Sequence, residues 1–210
     1  MIQIRLEKKE DERIVEELTR EAFWNVYVPG CTEPFLLHQM RKSPDFIPEL
    51  DFVAVCNSKI VGNIVYTRSK IVNESGQEFP TLTFGPVSVL PDFQKQGIGT
   101  ALIEYSKREA KRQKFSAIII YGNPDYYSKF GFKAASAFGI SRADGKFPKA
   151  MLALELQDGA LSGISGCFFE SAAFDIDPTD AEKFDLNFSP KEKRRTDSQK
   201  EFEILANLFE

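Results

Sequence analysis

Only three of the 210 residues are cysteine and only one is histidine. Cys31, Cys56 and Cys167 are odd in number and far apart, a pattern that fits reduced thiols better than a disulfide framework or a metal site. His38 as the lone imidazole argues against a zinc cluster, and no metal is expected. No apolar run approaches the ~20 residues of a membrane span, and the start Met1-Ile2-Gln3-Ile4-Arg5 lacks the charged and apolar regions of a secretory signal. A cytoplasmic protein with no membrane partner is therefore expected. An excess of basic charge is missing too. Lys and Arg number 27 against 31 Asp and Glu, a net charge of −4, which argues against non-specific nucleic-acid binding. No internal repeat is visible.

What is present reads as one domain with an extension. Hydrophobic residues at 42% and 19 Phe supply a full core. Ile2 to Leu6 alternates with period two, a half-buried strand, and Asp11 to Phe23 then takes a helical period with Ile14, Val15, Leu18 and Ala22 on one face. The segment Trp24 to Cys31 is aromatic and ends in Pro-Gly turn chemistry. It reads either as a loop tucked over the core or as one wall of a substrate pocket. Thr32 is placed to cap a helix through Met40, which Pro44 stops. The β-rich runs Leu50–Cys56, Ile60–Val72 and Phe79–Leu90 are joined by short turns, an antiparallel meander.

The third of these runs leads into the stretch on which a function can be based. In Gly85-Pro86-Val87-Ser88-Val89, proline removes a ladder donor and glycine marks a bulge, so backbone groups are left free. Gln94-Lys95-Gln96-Gly97-Ile98-Gly99-Thr100 then turns from strand to helix. Its first helical amides have no intrahelical partner and no bulky side chain over them, and the helix dipole favours an anion there. Helix Gly99–Lys114 and strand Ser116–Tyr121 complete a parallel crossover unit. Asn123-Pro124 opens a short helical turn, Asp125 to Phe130, ended by Gly131. Strands follow at Phe138–Ser141 and Met151–Leu156 and near Phe168. Asp175 to Lys191 reads as polar and irregular, and Ser198 with Glu201 as the capping box of a last amphipathic helix.

Gln94-Lys95-Gln96-Gly97-Ile98-Gly99 resembles the Gln/Arg-x-x-Gly-x-Gly/Ala pyrophosphate loop of the GCN5-related N-acetyltransferases (GNAT). Tyr127-Ser128-Lys129-Phe130-Gly131-Phe132 resembles the Tyr-x-x-x-Gly-Phe element of the same family. The run from Glu21 to Phe46 is similar to the YhbS-like branch. The resemblance covers residues 1–157 and leaves 158–210 as an extension. It implies an α/β (α+β) fold with a mixed, mostly antiparallel twisted sheet flanked by helices.

It also implies an N-acetyltransferase that moves an acetyl group from acetyl-CoA to a primary amine by direct attack in a ternary complex. The pyrophosphate would lie on the segment Gln94 to Thr100 and the pantetheine along Val87, Ser88 and Val89. Tyr127 would be the general acid, with Trp24 and Tyr27 against the acceptor and Glu21 the weakly favoured base among Glu21, Glu33, Asp92, Asp125 and His38. Many members carry an Asn about two helical turns before the motif tyrosine. Ile120 stands near that place here, and Asn123 is the nearest amide.

Two rival readings remain on the residues. A Rossmann-type site is disfavoured because Leu102 occupies the third glycine position and a meander precedes the turn. A non-catalytic acyl-CoA-binding regulator would keep the loop, and Tyr127 favours catalysis over it. For the extension, three roles fit: packing on the sheet, capping the acceptor cleft, or forming a homodimer.

Overall fold

In the computed structural model, which describes residues 2–209, the chain opens with strand β1 (Ile2–Leu6) and helices α1 (Glu12–Phe23) and α2 (Glu33–Met40). The meander follows as β2 (Phe52–Cys56), β3 (Lys59–Val72) and β4 (Glu78–Val89). Then come α3 (Ile98–Arg112), β5 (Ala117–Tyr121), the one-turn α4 (Pro124–Tyr127), β6 (Lys133–Ala134), β7 (Ile140–Arg142) and β8 (Met151–Glu155). The remainder forms β9 (Gly166–Phe169), α5 (Pro178–Asp185) and α6 (Asp197–Ala206). Asn57 and Ser58 both have positive φ, 48° and 63°, and make the two-residue turn that pairs Cys56 with Lys59.

All nine strands belong to one sheet, with a main path β1-β2-β3-β4-β5-β8-β6 and β9 joining β3 to β7. Among the described residues, only the β4–β5 and β7–β9 pairs are parallel. The feature that matters for function is the β4–β5 pair. It is held at one position, Leu82 opposite Ile118, and downstream of it the two strands part. On its other edge β4 stays paired with β3, but the register shifts between Ile64 and Tyr66, where Gly85 and Pro86 oppose the single residue Val65.

Period-two alternation sends successive residues of β2 and β3 into different cores. Phe52, Ala54, Ile64 and Tyr66 pack with Leu102 and Ile103 of α3, whereas Val53 and Val65 pack with Val15, Leu18, Leu37 and Met40 of α1 and α2. A fully buried Leu or Ile of this kind stabilises the fold by about 1.5–3 kcal/mol. Helix α3 sits unusually close to β3 because Gly62 has no side chain. A Cβ there would lie 3.0 Å from Leu102 Cδ1 and 3.2 Å from Ile98 Cγ2. The start of α3 is thereby pressed against the sheet beside the open edge of β4.

Under α1 and α2 lies a buried charge network. Arg41 donates to Glu7 (2.6 Å) and Glu16 (3.2 Å), and Asn63 donates to Asp51 (2.9 Å) and the Phe52 carbonyl (3.1 Å). Burial first, and the neighbouring Asp51 second, push the Glu7 carboxyl up to about 9.

Several local expectations change. Ile14 is exposed at 48%, so the buried face of α1 is narrower than its apolar pattern. Thr32 makes no side-chain cap, and Thr196 rather than Ser198 begins α6, because the Ser198 hydroxyl donates instead to the Val26 carbonyl, 2.8 Å. The polar segment after Asp175 contains α5, started by Pro178 in its first turn and by the Asp177 carboxylate accepting from the Thr179 amide at 2.7 Å. The two-residue β6 was not anticipated. Within residues 158–209, β9 pairs with β3, Phe184 of α5 lies 5.6 Å from Phe35 of α2, and Asp185 accepts from Arg20 of α1 at 2.6 Å.

Candidate active site

A cleft of about 720 Å³ occupies the gap where β4 and β5 part. One end is the turn into α3, the other is the end of β5 with α4, and Phe23, Val26 and Tyr27 close its side. The turn end is made of backbone. Gly97 has φ of 83°, which glycine adopts without strain, and a Cβ built on it would meet nothing within 4 Å. The first intrahelical bond is donated by Ala101 to the Gly97 carbonyl. The amides of Gln96, Gly97, Ile98, Gly99 and Thr100 have no acceptor among the described residues. Five free donors beside open space and a helix start suit a diphosphate. Lys129, whose ammonium lies 4.0 Å from the Tyr126 ring centre, lines the same cleft and adds a cation that the sequence reading missed.

The strand side follows from hydrogen-bond alternation. Leu90 donates its amide to Val61 of β3, so the amides of Val87 and Val89 point to the other edge, where β5 has departed. Both valines line the cleft. Ser88 does not: it is fully buried, with its hydroxyl 2.8 Å from that of Thr19. The Gln94 side chain bonds the Val89 carbonyl at 3.0 Å and fixes the loop to the strand, and Gln96 likewise bonds the Asp92 carbonyl at 2.9 Å. Lys95, with φ of 59°, lies in the cleft wall, whereas the Gln96 side chain does not.

Tyr127 stands at the far end of the cleft. Its ring is wedged among Phe84, Phe130 and Phe132, with centroids 5.7–6.1 Å away, and its hydroxyl makes no hydrogen bond among the described residues. Burial pushes the phenol well above its ordinary value, and Tyr27 and Tyr126 add to the rise. This group holds its proton until a stronger base presents itself. Gly122 makes the seat possible, because a Cβ at that position would lie 2.4 Å from Tyr127 Cε2. Asn123 caps α4, its side-chain oxygen accepting from the Asp125 amide at 2.9 Å, and also lines the cleft.

Two expected residues are not brought to this place. Glu21 lies on the outer side of α1, 2.8 Å from the Lys191 ammonium, in a groove with Arg13 and Arg20. Trp24 turns toward the extension, with Nε1 donating to the Glu192 carbonyl at 2.9 Å and its ring under the Arg20 guanidinium at 4.2 Å. The loop they flank is clamped from outside: Thr196 and Gln199 donate to the Asn25 carbonyl. Tyr27 does reach the cleft, and Phe202 of α6 stacks on it at 4.6 Å. His38 is structural, with Nδ1 3.1 Å from Glu16 and its ring against Phe184. Among the described residues no helix is long and apolar enough to cross a membrane, and no group of three or more His, Cys, Asp and Glu is placed to hold a metal ion.

Comparison with known proteins gives this geometry its context. Residues 49–134 match the acetyltransferase (GNAT) domain. The chain is 24% identical over 164 residues to the N-acetyltransferase YhbS of Escherichia coli, a match covering 78% of this chain and 92% of that protein. The crystal structure of Escherichia coli YhbS in complex with CoA superposes with a TM-score of 0.73 at 21% identity, covering 83% of this chain and 92% of that one. A GNAT family acetyltransferase from Brucella melitensis in complex with acetyl-CoA gives 0.65 at 25% identity, covering 83% and 98%.

Proposed function

We propose that the chain, whose residues 49–134 match the GNAT acetyltransferase domain, is an N-acetyltransferase of that family that binds acetyl-CoA in the cleft between β4 and β5 and transfers the acetyl group to a primary amine by direct attack in a ternary complex. One observation carries this reading. A single continuous cleft runs from the unpaired amides of Gly97 to Thr100 at the start of α3, past the open edge of β4, to the Tyr127 hydroxyl, which has no hydrogen-bond partner among the described residues.

The residues fit the parts of the co-substrate in order. The diphosphate would lie on the amides of Gln96 to Thr100, with Lys129 beside it. The amide-bearing arm would pair with the free amide of Val89 as an added strand does. At the reacting carbon, the Val87 amide, nearer Tyr127, would stabilise charge developing on the carbonyl oxygen, an effect typically worth ~3–4 kcal/mol. Tyr127 gives its proton to the departing sulfur.

The test separates binding from chemistry. Acetyl-CoA at saturation is expected to raise the melting temperature of the protein. Tyr127→Phe is expected to keep that rise while kcat falls about 100-fold, the scale of general acid catalysis. An unchanged kcat would move the acid elsewhere, and no thermal shift in the unsubstituted protein would remove the binding assignment.

A further inference from the structure

Beyond α5, the segment 191–209 fastens to both arms of the sheet that part at the cleft. The β4 arm carries α1, through the contact of the Thr19 and Ser88 hydroxyls, and with it the loop 24–31, whose Val26 and Tyr27 line the cleft. The β5 arm carries the entry to β8: Tyr121 pairs with Met151, and the Gly122 amide donates to the Ala150 carbonyl at 2.8 Å. Between the two anchors α6 is a rod of ten residues, ~15 Å long at about 1.5 Å per residue.

The first anchor centres on Asn25, which is buried and takes a φ of 61°, uncommon for any residue but glycine. Its side-chain oxygen accepts the Gly30 amide at 2.8 Å and the Arg194 amide at 3.0 Å, and its Nδ2 donates to the Glu192 carbonyl at 3.1 Å. Its own carbonyl accepts from Thr196 at 2.8 Å and from Gln199 at 3.0 Å, and the Val26 carbonyl accepts from Ser198. Phe202 then covers the Tyr27 ring. At the second anchor the Leu208 carbonyl accepts the Lys149 amide at 3.0 Å, Phe209 bridges to Pro148, and the Lys146 ammonium lies 5.4 Å from the Phe209 ring. The helix between them is lightly held. Only Gln199 of its ten residues is buried, and a helix this short is marginal in water by itself. Such an element opens locally well before the sheet does.

We propose that residues 191–209 are a strap whose docking is coupled to occupancy of the cleft: it releases loop 24–31 when a ligand enters or leaves, and a filled cleft holds it docked. The inference rests on the reading of the larger cleft as the acetyl-CoA site. The coupling has a physical route. Loop 24–31 meets the cleft through Val26 and Tyr27, and it meets the strap through the Asn25 and Val26 carbonyls and the Tyr27 ring. No strap residue lines the cleft among the described residues, so the loop carries the effect. Fixing the loop for one partner lowers the ordering cost for the other, and the effect is reciprocal. The strap also ties the arms where backbone pairing between β4 and β5 has ended. It lies outside the 49–134 domain match, which makes it an addition to that domain.

The experiment uses the full chain and CoA, with the thermal shift by CoA as the binding control. Hydrogen exchange followed by mass spectrometry is expected to show the α6 amides slowed about 10-fold by saturating CoA, while those of α5, which rests on α1 and α2, change less than 2-fold. The double variant Thr196→Val with Phe202→Ala is expected to raise the CoA dissociation rate about 10-fold, and Phe202→Tyr, which keeps the stack, to stay within 2-fold. With the CoA shift present, α6 exchange unmoved by CoA, equal slowing of α5 and α6, or an unchanged dissociation rate in the double variant would overturn the proposal. No CoA shift in the unsubstituted protein would strike the reading of the larger cleft, and the coupling with it.

Discussion

At Tyr127 the cleft meets a second cavity of about 230 Å³, and the two are built from different material. The larger one presents backbone: the free amides of Gly97 to Thr100 and the open edge of β4 at Val87 and Val89, all within fourteen consecutive residues. The smaller one presents side chains, with Phe23, Glu33, Thr83, Tyr121 and Glu170 arriving from five separate segments. A backbone site recognises what every bearer of a diphosphate and a peptide-like arm shares. A side-chain site can change its guest by substituting one residue.

The largest effect that would break the contrast comes from Gly97→Glu. A non-glycine residue at φ of 83° costs ~1–3 kcal/mol, and the new carboxylate would enter the open space before the free amides. CoA affinity measured by calorimetry is expected to fall at least about 100-fold, which combines that strain with charge repulsion. Full affinity in this variant would refute the backbone site. Gly122→Ala sharpens the contrast from the other side. Its Cβ would fall 2.4 Å from the Tyr127 ring, so the ring must move while the amides stay. An expected fall in kcat of about 10-fold with CoA affinity within about 2-fold follows from misplacing one reacting group; equal losses in both would show that the two halves are not separable.

The smallest effect concerns the charge network that supports α1 and α2 beneath these walls. The Glu7 carboxyl, near 4.5 when unfolded and pushed up to about 9 by burial, binds its proton more tightly in the folded protein. Its contribution is therefore complete below pH 4.5 and is lost as the pH rises through about 9. Glu7→Gln keeps the protonated shape and the Arg41 contact, so denaturant unfolding should show a flatter stability profile between pH 5 and 9, with a gain of about 1 kcal/mol at the alkaline end. An unaltered slope would place the titrating group elsewhere.

Much of the fold is legible along the chain because its signals are local. The meander follows from β-rich runs separated by turn residues, and α3 follows from the glycine turn and its apolar stripe. The end of the Tyr127 element follows from Gly131. Where reading failed, a side chain had taken a distant partner. Ser198 looked like a cap and bonds the Val26 carbonyl instead; Trp24 looked like a pocket wall and bonds the Glu192 carbonyl; Glu21 looked like a base and pairs with Lys191. Lys129 and Gly122 gave no signal of their own, since their roles depend on a ring and a cleft formed elsewhere.

Residue order by itself determined the free amides before α3 and the bulged edge of β4, since glycine, proline and the helix start set backbone direction within a few bonds. It equally determined the strand, turn and helix order that places Tyr127 one crossover downstream. Only the tertiary structure decided what Tyr127 faces on its other side. The convergence of Glu33, Thr83 and Glu170 depends on the divergence of β4 from β5 and on β9 pairing with β3. A sheet register can bring a residue from position 170 beside one from position 33, and no local pattern of either segment encodes that meeting.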